Sequence, residues 1–152
     1  IDYRRPSAQL TELAKRAWLP LYNVDPTRTR LMRLEAASMA PMELLAREEV
    51  NLAGLRMHTD TRAMSRRLYA SSVSLVEIAT GDAKSIQGFP ESPVILYVQW
   101  SPDGKYLGTL LEMQDRVELW LIDVQSSTAK KLSDLRVQSG MDEPMISIAK
   151  PA

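Results

Sequence analysis

Apolar residues in the second half of the chain fall into four short runs, Val94–Trp100, Tyr106–Met113, Val117–Val124 and Ala129–Leu132. Each has the length and the β-branched, aromatic and leucine content of a strand. The connectors are Ser101-Pro102-Asp103-Gly104, Gln114-Asp115-Arg116 and Gln125 to Thr128. Strands joined this closely can only run antiparallel to their neighbours, so the pattern predicts a four-stranded meander over residues 87–133. Trp100 and Trp120 occupy strand positions suited to core packing, and Ser101, Pro102, Asp103 and Gly104 are assigned to the turn.

The first half shows the same order with an interruption. Leu19 to Val24 reads as a strand, Asp25-Pro26-Thr27-Arg28 as a turn and Arg30 to Leu34 as the returning strand. Ser72 to Ile78 and Ala83 to Ile86 supply two more strands around Ala79-Thr80-Gly81-Asp82, and Gly88 to Pro93 reads as a linker. The two halves superpose as a repeat. Pro26 over Pro102 brings Leu31 onto Leu107 and Leu34 onto Leu110, a separation of 76 residues. Leu75 over Leu121 brings Ala83 onto Ala129 and Ile86 onto Leu132, a separation of 46. The difference places an insertion at 36–70, inside a first unit spanning 19–86.

Within the insertion, Pro41 to Glu49 is expected to be a short helix with Met42, Leu45 and Ala46 on one face, and Asn51 to Arg56 a compact turn. His58 to Arg67 is polar and is expected to be an exposed loop. Ahead of the first unit, residues 1–18 carry Leu10, Leu13, Ala14, Ala17 and Trp18 at helical spacing, with Ser7 as a cap and Pro20 as a stop. Residues 134–152 read as a tail or the start of a further unit. The fold class is therefore mainly β, a partial β-propeller of about two four-stranded antiparallel blades with an N-terminal amphipathic helix and a short helical insertion. A blade cannot cover both of its faces, so the chain is expected to lean on something larger.

Composition excludes several chemistries. The 152 residues hold 19 basic and 19 acidic side chains, so no basic excess points to nucleic acid. There is no cysteine, hence no disulfide, thiolate metal site or cysteine nucleophile. No apolar run reaches the length of roughly 20 residues that a membrane-spanning helix needs. The first residue is Ile1, which suggests a removed leader or a start within a longer polypeptide. The one histidine, His58, reads as a loop residue, and Glu48-Glu49 as a solvated pair. Arg66, Arg67 and Trp18 are candidate partner-facing residues. No cofactor, metal or phosphate-binding constellation is seen.

Trp100-Ser101-Pro102-Asp103-Gly104 and Val117-Glu118-Leu119-Trp120-Leu121-Ile122-Asp123-Val124 resemble propeller blades of the prolyl oligopeptidase family. The stretch from Ala40 to Arg56, with Ser65 and Tyr69, resembles the segment after the first propeller hairpin of glutamyl endopeptidases, known from chloroplasts and bacteria. The resemblance runs roughly from Tyr3 to Asp134. It implies an N-terminal propeller screening a C-terminal α/β-hydrolase domain, whose Ser-His-Asp triad carries its serine on G-x-S-x-G. This chain contains no G-x-S-x-G, so no catalytic residue transfers. Two readings stand. One is a non-catalytic, propeller-derived interaction or structural subunit of a larger assembly, docked on other protein chains. The alternative is the propeller portion of a Glu-specific serine endopeptidase whose remainder lies outside these residues. Without catalytic groups in hand, the first is preferred. The family link points to an organelle, chloroplast or mitochondrion, or alternatively to a bacterial cytoplasm.

Overall fold

The computed structural model describes residues 7–8, 20–36, 40–65 and 69–132. Among the described residues the elements follow in the order β1 (Leu21–Val24), β2 (Arg30–Ala36), α1 (Met42–Leu45), β3 (Glu49–Leu52), β4 (Leu55–His58), β5 (Ala70–Glu77), β6 (Ala83–Ser85), β7 (Val94–Trp100), β8 (Tyr106–Glu112), β9 (Val117–Asp123) and β10 (Thr128–Lys131). The fold is mainly β and antiparallel. β1, β2, β5 and β6 pair in succession as a first meander, and β7 to β10 as a second. The two join edge to edge through the Ala70–Ile95 pair and through a bridge between Gln87 and Thr128. Their main contact is face to face. Met32, Val73, Leu75 and Ile86 of the first meander form one core with Ile95, Leu107, Leu111, Ile122 and Ala129 of the second. This is how consecutive blades of a partial propeller stack.

The repeat is exact in hydrogen bonding. Leu75 faces Lys84 in the first meander and Leu121 faces Lys130 in the second, both 46 residues apart. The corner turns also repeat. The Asp25 amide donates to the Arg30 carbonyl at 3.0 Å, as Ser101 does to Tyr106 at 2.9 Å. Arg28 donates to the Asp25 carbonyl and Gly104 to that of Ser101. Both Arg28 (φ 59°) and Gly104 (φ 69°) are left-handed, a conformation that glycine adopts freely and arginine does not.

Three expectations inside and beside the insertion change. Helix α1 is a single turn, because Pro41 offers no side-chain cap and the backbone enters β3 at Glu49. Its apolar face is not buried: Met42 is 77% and Leu45 55% exposed. Asn51 to Arg56 is the tip of the β3–β4 hairpin, with Ala53 (φ 50°) and Gly54 (φ 85°) making the mirror-image turn that suits strand twist. His58 to Ser65 is not an exposed loop. His58, Thr61, Ala63 and Ser65 are all buried. The turn closes through His58 N–H on the Ala63 carbonyl and Arg62 N–H on that of His58. The helix expected over Ser7–Trp18, apart from Ser7 and Ala8, and the tail from residue 133 lie outside the described residues, as do Trp18, Arg66 and Arg67.

The linker at Gly88 is pinned rather than loose. Gln87 donates to the Ser127 carbonyl and accepts from the Ala129 amide at 2.7 Å, tying the end of the first meander to the outer strand of the second. Gly88 follows at φ 92°, and a β-carbon there would stand 2.5 Å from the Ala129 oxygen. Gly81 shares a positive φ (77°) but has open space around it. Gly88→Ala is therefore expected to destabilise the protein by about 3 kcal/mol, from left-handed strain plus overpacking. Gly81→Ala carries the strain alone, about 1 kcal/mol. Urea unfolding of both variants measures the difference, and equal losses would show that the two meanders do not close on this glycine.

Candidate functional site

Three polar groupings stand out once the fold is in place. The first is the pair of corner turns. The Asp25 carboxylate accepts the amides of Thr29 (2.8 Å) and Arg30 (3.0 Å) and the hydroxyl of Thr27. In the second turn Ser101 Oγ donates to Asp103 Oδ1 at 2.7 Å and accepts the Tyr106 amide, while Asp103 accepts the Lys105 amide. The two turns meet at one rim, where the α-carbon hydrogen of Gly104 points toward Thr27 and Asp25, with only 3.4 Å available to a β-carbon. Burial alone would raise the Asp25 carboxyl. The hydrogen bonds from Thr27, Arg30 and Thr29 outweigh it and hold the group below the ordinary carboxylate range.

The second grouping centres on Glu112, at the end of β8. Its Oε1 accepts from Arg47 Nη1 (2.8 Å), His58 Nδ1 (2.7 Å) and Thr61 Oγ1 (2.7 Å). Because the carboxylate oxygen accepts, the His58 proton lies on Nδ1. Glu112 and His58 are almost fully buried. Arg47 follows α1, His58 ends β4 and Thr61 sits in the turn after it, so three parts of the insertion converge on one oxygen of the second meander. Ala63, fully buried, packs alongside against Leu110 and Val117. The insertion thereby covers the Leu110–Glu112 end of the face of the second meander turned away from the first. Sequence reading missed this cluster. Its partners lie 51 to 65 residues from Glu112, and no local pattern marks them.

The third grouping surrounds Glu118, also buried. Arg116 Nε (2.7 Å) and Lys131 Nζ (2.9 Å) contact Oε1, and Trp120 Nε1 donates to Oε2 at 3.1 Å. Burial pushes this carboxyl up, and the bonds from Lys131, Arg116 and Trp120 bring it below its ordinary value. The Trp120 ring lies 6.0 Å from that of Phe89, tilted by 46°. Trp100 packs at the margin of the shared core, its indole N–H buried without a partner.

These groupings position the turns and the insertion, and among the described residues none pairs a nucleophile with a base. Ser65 Oγ is buried with no hydrogen-bond partner, so it does not reach His58. Ser101 Oγ is committed to Asp103 and to the turn. Among the described residues no group of three or more histidine and carboxylate side chains is arranged to hold a metal ion. No helix among them is long and apolar enough to cross a membrane.

No protein-family model matches the chain. It is 26% identical over 142 residues to the probable glutamyl endopeptidase, chloroplastic, of Oryza sativa subsp. japonica, covering 87% of this chain and 15% of that protein. It is 25% identical over 139 residues to the protein of the same name from Arabidopsis thaliana, covering 86% and 14%. The chain thus spans about one seventh of the length of these relatives. A solved structure from Bacteroides ovatus ATCC 8483, described as a dipeptidyl aminopeptidase IV, aligns with a TM-score of 0.43 at 14% identity, over 72% of this chain and 16% of that one.

Two expected outcomes follow from these geometries. Glu112→Ala leaves a partly buried arginine, a buried imidazole and a buried hydroxyl without their shared acceptor, so it should cost about 3–5 kcal/mol in urea unfolding, with amide protection lost first across residues 49–65. A loss below about 1 kcal/mol would mean that the insertion is held by its apolar contacts alone. Asp25 and Glu118 both titrate lower in the folded chain than in the unfolded one. The stability they contribute is full above the ordinary carboxylate value and is lost as pH falls through the folded value. The urea midpoint should stay level from pH 7 to about 5 and drop below about pH 4, and Asp25→Asn should make that drop smaller.

Proposed function

We propose that these residues are the propeller portion of a Glu-specific serine endopeptidase, with the hydrolase domain outside this segment. The observation that carries the reading is the collinear similarity to two glutamyl endopeptidases, which takes in nearly all of this chain and only 15% and 14% of theirs. This similarity favours the peptidase reading over that of a non-catalytic structural subunit. In the proposed arrangement residues 19–86, with the insertion at 36–70, form one blade and 87–133 the next. Residues 1–18 precede them and 134–152 lead into the remainder of the same polypeptide, which is the partner. The role of the segment is to build part of a ring that screens the active site, holding no catalytic group itself. An organellar location, the chloroplast in a plant, fits the names of both relatives.

The test is hydrolysis of a fluorogenic peptide series by the polypeptide expressed to the end of its reading frame. Cleavage after Glu, abolished by a serine-directed organophosphonate, is the expected result. A product that leaves every Glu-containing peptide intact, or a reading frame with no G-x-S-x-G, would return the segment to the structural-subunit reading.

A further inference from the structure

The insertion is bound together by its own backbone. Its hairpin pairs Glu49–Leu52 with Leu55–His58 and, among the described residues, joins no strand of the larger sheet. The turn beyond the hairpin bonds back onto it. Thr59 N–H donates to the Glu48 carbonyl (3.1 Å), Arg62 N–H to that of His58 (3.0 Å) and Ser65 N–H to that of Arg56 (2.9 Å). Met57 and Met64 add a further bridge. The insertion also leaves and re-enters the first meander at one point, since Ala36 and Ala70 are direct partners across β2 and β5. A body with its own hydrogen-bond ladder and adjacent ends can move without breaking the sheet that carries it.

Its hold on the second meander converges on one atom. Arg47, His58 and Thr61 reach across, and all three end on Glu112 Oε1 at 2.7 to 2.8 Å. Beside them the buried apolar contact is Ala63, packed against Leu110 and Val117. One methyl group contributes little through burial, so the carboxylate dominates. Breaking this contact returns Glu112, Arg47 and His58 to water together, and the hydration they regain offsets the bonds they lose. Opening therefore costs far less than stranding any one of them in place. We propose that the insertion is a strap, latched by the Glu112 carboxylate, that swings away from β8 as a unit while both meanders stay folded.

The closed form predominates, since opening also returns Leu110 and Val117 to solvent. The competing arrangement is an insertion that is simply part of the second meander's core. Its amides would then belong to the same cooperative unit as β8 and β9 and would open only with them.

The experiment is native-state hydrogen exchange, read peptide by peptide, on the polypeptide expressed to the end of its reading frame. In the unaltered protein residues 49–65 should share one opening constant, about tenfold or more above that of β8 and β9. Glu112→Gln keeps the shape of the side chain and removes its charge. It should raise opening of residues 49–65 about tenfold to a hundredfold, with β9 and β10 unchanged within about twofold. Arg47→Met attacks the latch from the strap's side, at a less buried position, and should raise the same constant by a smaller factor. The double variant should fall short of the product of the two single effects, because both remove one contact. Glu77→Gln, which removes a half-exposed ion pair with Arg30 on the first meander, should leave the strap within about twofold. A single opening constant shared by residues 49–65 and β8–β9 would overturn the proposal. So would a Glu112→Gln strap that opens within about twofold of the unaltered one, or a double variant that gives the full product.

Discussion

Strand β8 must be buried on both faces, and the rest of the structure follows from how that is achieved. Leu107, Thr109 and Leu111 point to one side, and Gly108, Leu110 and Glu112 to the other, all of them shielded from solvent. A four-stranded meander supplies cover for neither face of its own central strand. The first meander covers one side, with Met32, Val73 and Leu75. The insertion covers the other at the Glu112 end, with Ala63, Thr61 and His58. One strand therefore gives both the repeat and its interruption a place to pack.

The two covers are held by different physics. Between the meanders the contact is apolar, and its placement is fixed by backbone: the Gln87 hydrogen bonds to β10 and the close approach of Gly88 to Ala129. Apolar contact alone tolerates sliding, so a main-chain tie is what sets the offset. Between insertion and meander the contact is polar at its centre. Three donors reaching one carboxylate oxygen from 2.7 to 2.8 Å are satisfied in a single placement only. A one-residue change in register would leave a buried charge without partners, which is far more costly than a misplaced methyl group.

Much of this architecture is legible in the residues. Pro26 and Pro102, with the leucines that follow them, set the repeat, and the pairing of Leu75 with Lys84 and Leu121 with Lys130 obeys the same spacing. The meander strands lie within a few residues of the runs that announce them because period-two burial is a local signal. The insertion is different. His58 to Ser65 is polar and so reads as solvated, but its polar atoms are satisfied by Glu112 and by its own turn. Residues linked across fifty or more positions leave no trace in a short window. Met42 and Leu45 mislead in the opposite sense: they share a face, as an amphipathic helix requires, but the single uncapped turn that begins after Pro41 leaves that face exposed. The corner residues Ser101, Asp103 and Gly104 are transparent by contrast, since each bond they make lies within five residues.

The placement of the insertion also bears on how the two meanders are joined. It leaves the chain between β2 and β5 and packs at the Leu110–Glu112 end of the second meander's outward side. The first meander thus reaches the second twice, once through the apolar core between them and once through the insertion. The two contacts lie on opposite faces of β8, so sliding along either would disrupt the other. Glu112, by holding the insertion across the second meander rather than against its own, makes the offset of the two meanders depend on side chains as well as on main chain.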